Sequence, residues 1–296
     1  MEQNPFSLYD FLGYFAPGAI FSLGVLLVFS KCGLNPVDLQ DESSTYQWLI
    51  AIVFILFSYV FGFALSIISG ELVEKYLIWR SGYPSKVRYA VPQKTFIECL
   101  FDDGYRGHFY LFFFLVFLFP VLILDLLFGK CLGLEKKYFK RYRYPDELSI
   151  LKRHTYKVLG LLTENPESLV NSNANFFKYL YHYTYENESA HSRKMQNYVA
   201  LYGFSRTMTL IFSLFFLVNL GSVGLRLSGY TCISFHPFDH DVLFLLSSAL
   251  LAYTFFVGFA KYYRRYTDEV LMATVAMVIS KQNVSPSNSG SPDVQA

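Results

Sequence analysis

The sequence predicts an all-α integral membrane protein, and two observations carry this prediction. The composition is strongly apolar, with 53% hydrophobic and only 16% charged residues among 296, whereas an average soluble domain carries about 25% charged residues. In addition, five segments are long and apolar enough to cross a bilayer: 8–30, 46–70, 108–129, 207–228 and 242–260. A formal net charge of +2 is too small to indicate a nucleic-acid-binding protein by itself.

Each apolar segment holds about the 20 residues that a helix needs to cross roughly 30 Å of hydrocarbon. Backbone polar groups in lipid must be satisfied within the segment, so the segments are expected to be helices. The first segment begins close to the N-terminus, but no Lys or Arg precedes it and no small-residue cleavage site follows it. It is therefore expected to be retained in the membrane.

The distribution of Lys and Arg predicts which loops are cytoplasmic. The loops before segment 2 and before segment 5 are poor in basic residues, which places them outside. Regions 71–107, 130–206 and the stretch after 260 hold most of the basic residues, which places both flanks of segment 3 inside. Two arrangements satisfy these counts to different degrees: four transmembrane helices plus a re-entrant segment bent at Pro120, or five transmembrane helices.

The predicted organisation has five parts. Residues 1–129 hold membrane segments 1–3 with a short polar loop at 71–107, and residues 130–206 form a basic, aromatic, cytoplasmic helical domain. Residues 207–260 hold segments 4 and 5, residues 261–281 form a cytoplasmic helix, and residues 282–296 form a disordered tail. Within the cytoplasmic domain, apolar spacing predicts a helix that starts at Pro145 and stops at Asn165.

Proline and small residues within the spans are expected to shape the helix packing. Pro17 and Gly18 in segment 1 predict a kink, and interrupted helices of this kind also line binding sites in some transporters. Gly62, Ser66 and Gly70 in segment 2 recur at steps of four, which predicts a stripe for close helix approach. The stripe suits packing within the chain or between copies of it.

The run KKYFKRYRYP directly follows segment 3, and its basic residues are predicted to bind lipid head groups or other anions: Lys136, Lys137, Lys140, Arg141 and Arg143. Each Lys or Arg near an anionic membrane contributes about 1 kcal/mol. Interleaved tyrosines could instead stack on nucleic acid bases. The position of the run beside a span favours membrane lipids, and nucleic acid is not expected as a partner.

No enzyme or cofactor signature occurs in the sequence. GxSxG, HExxH and P-loop patterns are lacking, so no catalytic residue and no cofactor are predicted. Cys32 and Cys232 fall on the same, external side in the arrangement with four crossings, where a disulfide is permitted. His236, Asp239 and His240 share a loop and are weak candidates for a metal site, which a turn at this place explains equally well.

Three short pieces carry a resemblance: YDFLGYFAPG (9–18), YGFSR (202–206) and RRYTDEVL (264–271). They resemble parts of uncharacterised multi-pass bacterial inner-membrane proteins that are associated with anti-phage defence islands. The resemblance implies a bacterial inner membrane and a non-enzymatic role, and it transfers no catalytic residue. If these pieces act together, Arg206 is expected to form an ion pair with Asp268 or Glu269.

The function expected from these observations is that of a membrane effector or sensor. Its cytoplasmic domain would receive a protein or small-molecule signal, and its spans would form a homo-oligomer or open a pore. The alternative is a solute transporter or channel whose path is lined by Pro17, Gly18 and Asn219. A membrane-embedded lipid enzyme that depends on His154 or Asp102 comes third.

Overall fold

The computed structural model of the chain describes residues 10–31, 44–102, 104–131, 133, 145–161, 163–171, 176–187, 189–228 and 238–283. Every regular element among these residues is a helix. Twelve α-helices are described: α1 (Ala16–Lys31), α2 (Ser44–Ser69), α3 (Lys75–Ser81), α4 (Pro84–Arg88), α5 (Phe96–Asp102), α6 (Tyr105–Phe117), α7 (Phe119–Leu124), α8 (Pro145–Leu159), α9 (Pro166–Asn171), α10 (Phe176–Asn187), α11 (Ser189–Leu227) and α12 (Phe238–Asn283). Three stretches of π-helix adjoin them: Phe11–Phe15, Gly70–Glu74 and Asp125–Cys131.

Four stretches of helix are long and apolar enough to cross a membrane, which agrees with the predicted all-α membrane protein. They are Phe11–Ser30, Gln47–Arg88, His191–Leu227 and His240–Lys281. A fifth candidate consists of α6 and the stretch Phe119–Gly129, whose axes differ by 87°. The large apolar side chains of α2 are mostly exposed, including Trp48, Ile52 and Leu56, and exposed apolar side chains of this kind suit a helix surrounded by lipid.

The chain divides into two compact units. Unit 1 comprises Met1–Pro84, Gln93–Lys140 and Gln196–Arg264, and unit 2 comprises Ser85–Pro92, Arg141–Met195 and Arg265–Ala296. Helices α11 and α12 are each divided between the two units. Unit 2 thus shares residues 141–195 with the soluble domain expected at 130–206, and it also includes residues 85–92, which the sequence analysis assigned to a loop.

Unit 2 has its own apolar core, which includes Leu159, Leu180 and Leu271. Helix α8 begins at Pro145 as predicted, but it ends at Leu159, and Pro166 starts α9 instead of following a single longer helix. Burial raises the pKa of the Tyr156 phenol, and the negative charge of Glu167 raises it further. The protonated phenol is therefore favoured in the folded unit, and stability falls as the pH rises above the pKa of the unfolded tyrosine and through the raised pKa of the folded one.

Helices α1 and α2 of unit 1 cross with their backbones in contact. Gly18 lies against the Ser58 carbonyl oxygen, Gly62 lies against the Tyr14 carbonyl oxygen, and a Cβ atom at either glycine would overlap that oxygen. Gly62 of the predicted stripe is therefore a packing residue within the chain. Pro17 lies in the first turn of α1, directly after the π-helix, where the Ala16 N–H donates to the Phe11 carbonyl. The irregularity expected at Pro17 is therefore the stretch of π-helix that precedes it. It arises because proline has no N–H group to donate to the preceding turn.

Replacing Gly18 or Gly62 with alanine is expected to destabilise unit 1, because the added methyl group has to separate two helix backbones. Overpacking of this kind costs about 1–3 kcal/mol. The measurement is the apparent melting temperature of the detergent-solubilised protein. Gly221→Ala is the matched control, because the Cβ position of Gly221 faces open space. Equal melting temperatures for the three variants would contradict the packing role.

Candidate functional site at the elbow of unit 1

The most unusual feature of unit 1 is a sharp bend in the third apolar segment, here called the elbow and comprising Tyr105–Cys131. Helix α6 ends at Phe117, and Leu118 leaves the helical region with φ −106° and ψ 16°. Pro120 lies at the start of α7, where its missing N–H removes no hydrogen bond within the helix. The bend expected at Pro120 occurs two residues earlier, at Leu118, because a proline inside a continuous helix would lack its hydrogen bond to the preceding turn and clash with that turn.

Both arms of the elbow bind the same short stretch of chain. On the first arm the Tyr110 hydroxyl donates to Glu71 at 3.2 Å. On the second arm Asp125 accepts a hydrogen bond from the Tyr76 hydroxyl at 3.0 Å and pairs with Arg80 at 2.6 Å. These contacts place both arms of the bent segment, whose axes differ by 87°, against the stretch Glu71–Arg80.

The pair of Arg80 and Asp125 is buried. The side chains of Arg80 and Asp125 are 12% and 5% exposed. The Asp125 Oδ2 atom lies 2.6 Å from the Arg80 Nε atom and accepts a hydrogen bond from the Tyr76 hydroxyl. A Cβ atom at Gly129 would overlap the Asp125 carboxylate, so the turn can wrap this closely only with glycine. Buried charges are tolerated when they are paired and hydrogen-bonded, and this centre meets both conditions.

Aromatic rings surround the buried pair. The ring of Tyr76 meets that of Phe114 edge to face with centroids 5.6 Å apart, and Trp79 meets Phe114 in the same way. Trp79 also meets Phe96 at 6.0 Å. Edge-to-face ring pairs add about 0.5–1.5 kcal/mol each beyond burial of their area. The polar centre is thus enclosed by a stiff apolar frame.

A cavity of about 430 Å³ opens beside this centre. Its lining residues are Tyr76, Arg80, Thr95, Phe96, Ile97, Leu122, Asp125 and Leu126. Two of the apolar ones are strongly exposed, Ile97 at 65% and Leu126 at 57%. The cavity therefore has polar groups at one side and exposed aliphatic groups at another, which is the usual character of a small-molecule site.

A second, partly buried arginine lies against the predicted stripe of small residues. The Nη1 atom of Arg206 pairs with Glu74 at 2.5 Å, and its Nη2 atom donates to the Ser66 carbonyl at 3.2 Å. The guanidinium also lies directly over Gly70, 3.5 Å from the position of a Cβ atom. Ser66 and Gly70 therefore serve a polar contact within the chain.

The acids predicted to bind Arg206 have other partners in unit 2. Asp268 pairs with Arg88 at 2.5 Å. Glu269 binds His191 at 2.7 Å and lies 3.9 Å from Lys194. Arg206 therefore does not form the predicted ion pair with either of these acids. Its guanidinium binds Glu74, which lies 132 residues earlier in the chain.

A third ion pair joins α11 to α12, with Arg226 and Asp241 3.1 Å apart and 15% and 7% exposed. The neighbouring His240 is exposed. Across the part of the chain that the structure describes, no three His, Cys, Asp or Glu side chains are placed to hold a metal ion.

Several predicted site residues lie outside the described residues or have undescribed side chains. The polybasic run from Lys136 to Arg143, both cysteines of the predicted disulfide (Cys32 and Cys232) and His236 lie outside them. Asp239 lies in the first turn of α12, and its side chain is not described. Lipid binding by the run and the disulfide stay predictions.

The residues proposed for a lipid enzyme are engaged in local contacts. The His154 Nδ1 atom lies 2.7 Å from the Ile150 carbonyl of its own helix. Asp102 binds Lys94 at the exposed surface of unit 1. The first contact lies within α8 and the second at the C-terminal end of α5, and both are local contacts typical of polar side chains on a helix surface.

The sequence signals one half of the elbow centre and gives no signal for the other. Asp125 stands out as an acid in an apolar segment, and such an acid is expected to have a partner. Arg80 gave no comparable signal, because it is one of several basic residues in the polar stretch 71–107.

The fold and this site define an all-helical membrane protein with buried arginine–carboxylate pairs. No protein-family model matches the chain, and no curated protein or solved structure is significantly similar to it.

Removing one charge of the elbow pair is expected to destabilise the protein strongly, because the other charge stays buried. Asp125→Asn and Arg80→Gln should each lower the free energy of unfolding by about 3–5 kcal/mol, while the double variant Arg80→Met with Asp125→Leu should regain most of it. Denaturant titration in detergent measures this. The matched control is Asp102→Asn, which removes an exposed partner of Lys94 and should change stability by at most about 1 kcal/mol.

The pairing of Arg206 with Glu74 predicts the outcome of a charge-exchange experiment. Glu74→Arg and Arg206→Glu should each destabilise unit 1, and the two together should restore part of the loss, because the exchanged charges can still pair. Thermal unfolding of the two single variants and the double variant provides the measurement. A double variant whose loss equals the sum of the single losses would show that the two side chains do not interact.

Proposed function

We propose that this protein is a non-enzymatic membrane effector or sensor, in which unit 2 receives a partner or small-molecule signal and the spans of unit 1 respond by opening. The elbow carries this proposal. It is a bent apolar segment whose second arm carries the acid of a buried ion pair, and removing one partner of such a pair is strongly destabilising. An element with these properties suits two-state behaviour.

The topology that belongs to this proposal has four crossings, with the elbow as a re-entrant element. Tyr110 on the first arm and Asp125 on the second arm both bind the stretch Glu71–Arg80, which supports entry and exit on one side. Both flanks of the elbow are also rich in basic residues, and basic residues favour the cytoplasmic side.

A bacterial inner membrane is the proposed location, and defence against phage is the proposed setting. Both rest on the three short resembling pieces described above. Unit 2, with α8–α10 and one end each of α11 and α12, is the proposed cytoplasmic receiver. Helices α11 and α12 belong to both units, so a change in unit 2 has a continuous covalent and hydrogen-bonded path to unit 1.

The alternative of a constitutive transporter finds less support in the contacts. Gly18 packs against the Ser58 carbonyl, which assigns it to helix packing and not to a solute path. Asn219 is only partly buried. The elbow cavity, with polar groups at one side and exposed aliphatic groups at another, suits a small molecule better than this path does.

Dye release from vesicles tests the proposed function. We expect purified wild-type protein to hold an entrapped dye, and Asp125→Asn to release it, because loss of about 3 kcal/mol from the closed state raises the open population by about two orders of magnitude. Asp102→Asn is the matched control and should stay tight. Circular dichroism of each reconstituted variant verifies that it is folded.

Two outcomes would contradict the proposal. One is that vesicles with folded Asp125→Asn remain as tight as those with wild-type protein. The other is a constant leak from wild-type protein that Asp125→Asn leaves unchanged, which would favour a constitutive channel.

A further inference from the structure

We infer that the elbow cavity binds the head group of one zwitterionic phospholipid that carries a primary ammonium, of the phosphatidylethanolamine type. This inference deepens the proposed function and rests on it in one respect, since both assign a role to the elbow centre. Binding does not require the elbow to open, so the two ideas can fail separately.

The charges in the cavity wall favour a ligand with no net charge. The wall contains one cation, Arg80, and one anion, Asp125, and its other lining residues are uncharged. A ligand with a net charge would leave that charge without a partner in the cavity wall. A ligand with a phosphate and an ammonium group complements both wall charges at once.

The chemistry of the two wall groups specifies the two ends of the ligand. A guanidinium has five N–H donors in a planar fork that matches phosphate, so Arg80 can bind Asp125 and a phosphate together. A primary ammonium has three donors and can bind the Asp125 carboxylate and the Thr95 hydroxyl. A quaternary ammonium has no such donor, which predicts discrimination against phosphatidylcholine.

The size and the apolar rim of the cavity favour a lipid over a soluble zwitterion. A volume of about 430 Å³ is at the small end of the range for ligand sites, so it accommodates a head group but not two acyl chains. Ile97 and Leu126 line the cavity and are strongly exposed. These aliphatic side chains provide a surface along which acyl chains can leave the cavity.

The chain contains a built-in reporter for this site. It has two tryptophans, and Trp79 contacts Phe96 of the cavity wall. Trp48 is 72% exposed in α2 and would report on bulk lipid. A Trp48→Phe background therefore leaves one tryptophan, Trp79, which lies beside the proposed site.

The experiment measures quenching of Trp79 fluorescence by phospholipids brominated near the head group. The full-length protein is reconstituted in unbrominated host lipid, with brominated phosphatidylethanolamine, phosphatidylcholine or phosphatidylglycerol added at low mole fraction. We expect half-maximal quenching by the ethanolamine lipid at about one tenth of the mole fraction that the other two need, which corresponds to about 1.4 kcal/mol.

Two variants test whether the cavity causes this preference. Leu122→Phe places a larger side chain in the cavity and retains both charges of the ion pair, and Asp125→Asn removes the negative charge that binds the ammonium; each should abolish the preference. Arg226→Gln, which removes a buried arginine elsewhere in unit 1, should retain it. Equal quenching by the three lipids in the Trp48→Phe protein would overturn the inference. A preference that survives Leu122→Phe would also overturn it.

The failures of the two proposals are distinguishable, because quenching measures binding and dye release measures opening. A lipid preference in a protein whose variants never leak would support the lipid site and contradict the effector function. Leakage of Asp125→Asn without any lipid preference in the Trp48→Phe protein would support the effector function and contradict the lipid site.

Discussion

The packing of unit 1 depends on the burial of charge in apolar surroundings. Three ion pairs join its helices: Arg80–Asp125, Arg206–Glu74 and Arg226–Asp241. An unpaired buried charge costs several kcal/mol, so helix arrangements that separate the partners are excluded. Apolar contact in lipid is non-specific, because lipid tails are as apolar as the side chains they replace. The charged pairs and the touching glycines therefore specify which helices meet.

The spans could be predicted from sequence because apolarity is a local property of about 20 consecutive residues. The ion pairs could not, because the choice of partner depends on tertiary geometry. Arg206 lies just before an apolar segment, and Asp268 or Glu269 in a resembling piece was expected to pair with it. Its actual partner, Glu74, lies 132 residues away. Nothing in the sequence ranks Glu74 above Asp268, since both follow the end of an apolar stretch.

The small residues show a similar limit. The spacing of Gly62, Ser66 and Gly70 predicted one stripe for close helix approach. In the structure the three residues have different roles. Gly62 allows two backbones to touch, whereas Ser66 accepts hydrogen bonds from Arg206 through its carbonyl and hydroxyl oxygens. The period of a helix shows which residues share a face, but the neighbour of that face decides their chemistry. The elbow is comparable: Pro120 predicted a bend, and the contacts of Asp125 determine where its second arm lies.

The energetics of a buried ion pair connect the proposed opening of the elbow with the proposed lipid site. Such a pair contributes little net stability when intact, yet its separation is very unfavourable, so the elbow should change state in one step. A ligand shifts a two-state equilibrium only by its differential affinity for the two states. A zwitterion that binds Arg80 and Asp125 together has such a difference, because only the closed elbow presents both groups side by side. Under these two proposals, the surrounding lipid holds the elbow closed, and a membrane depleted of that lipid favours the open state.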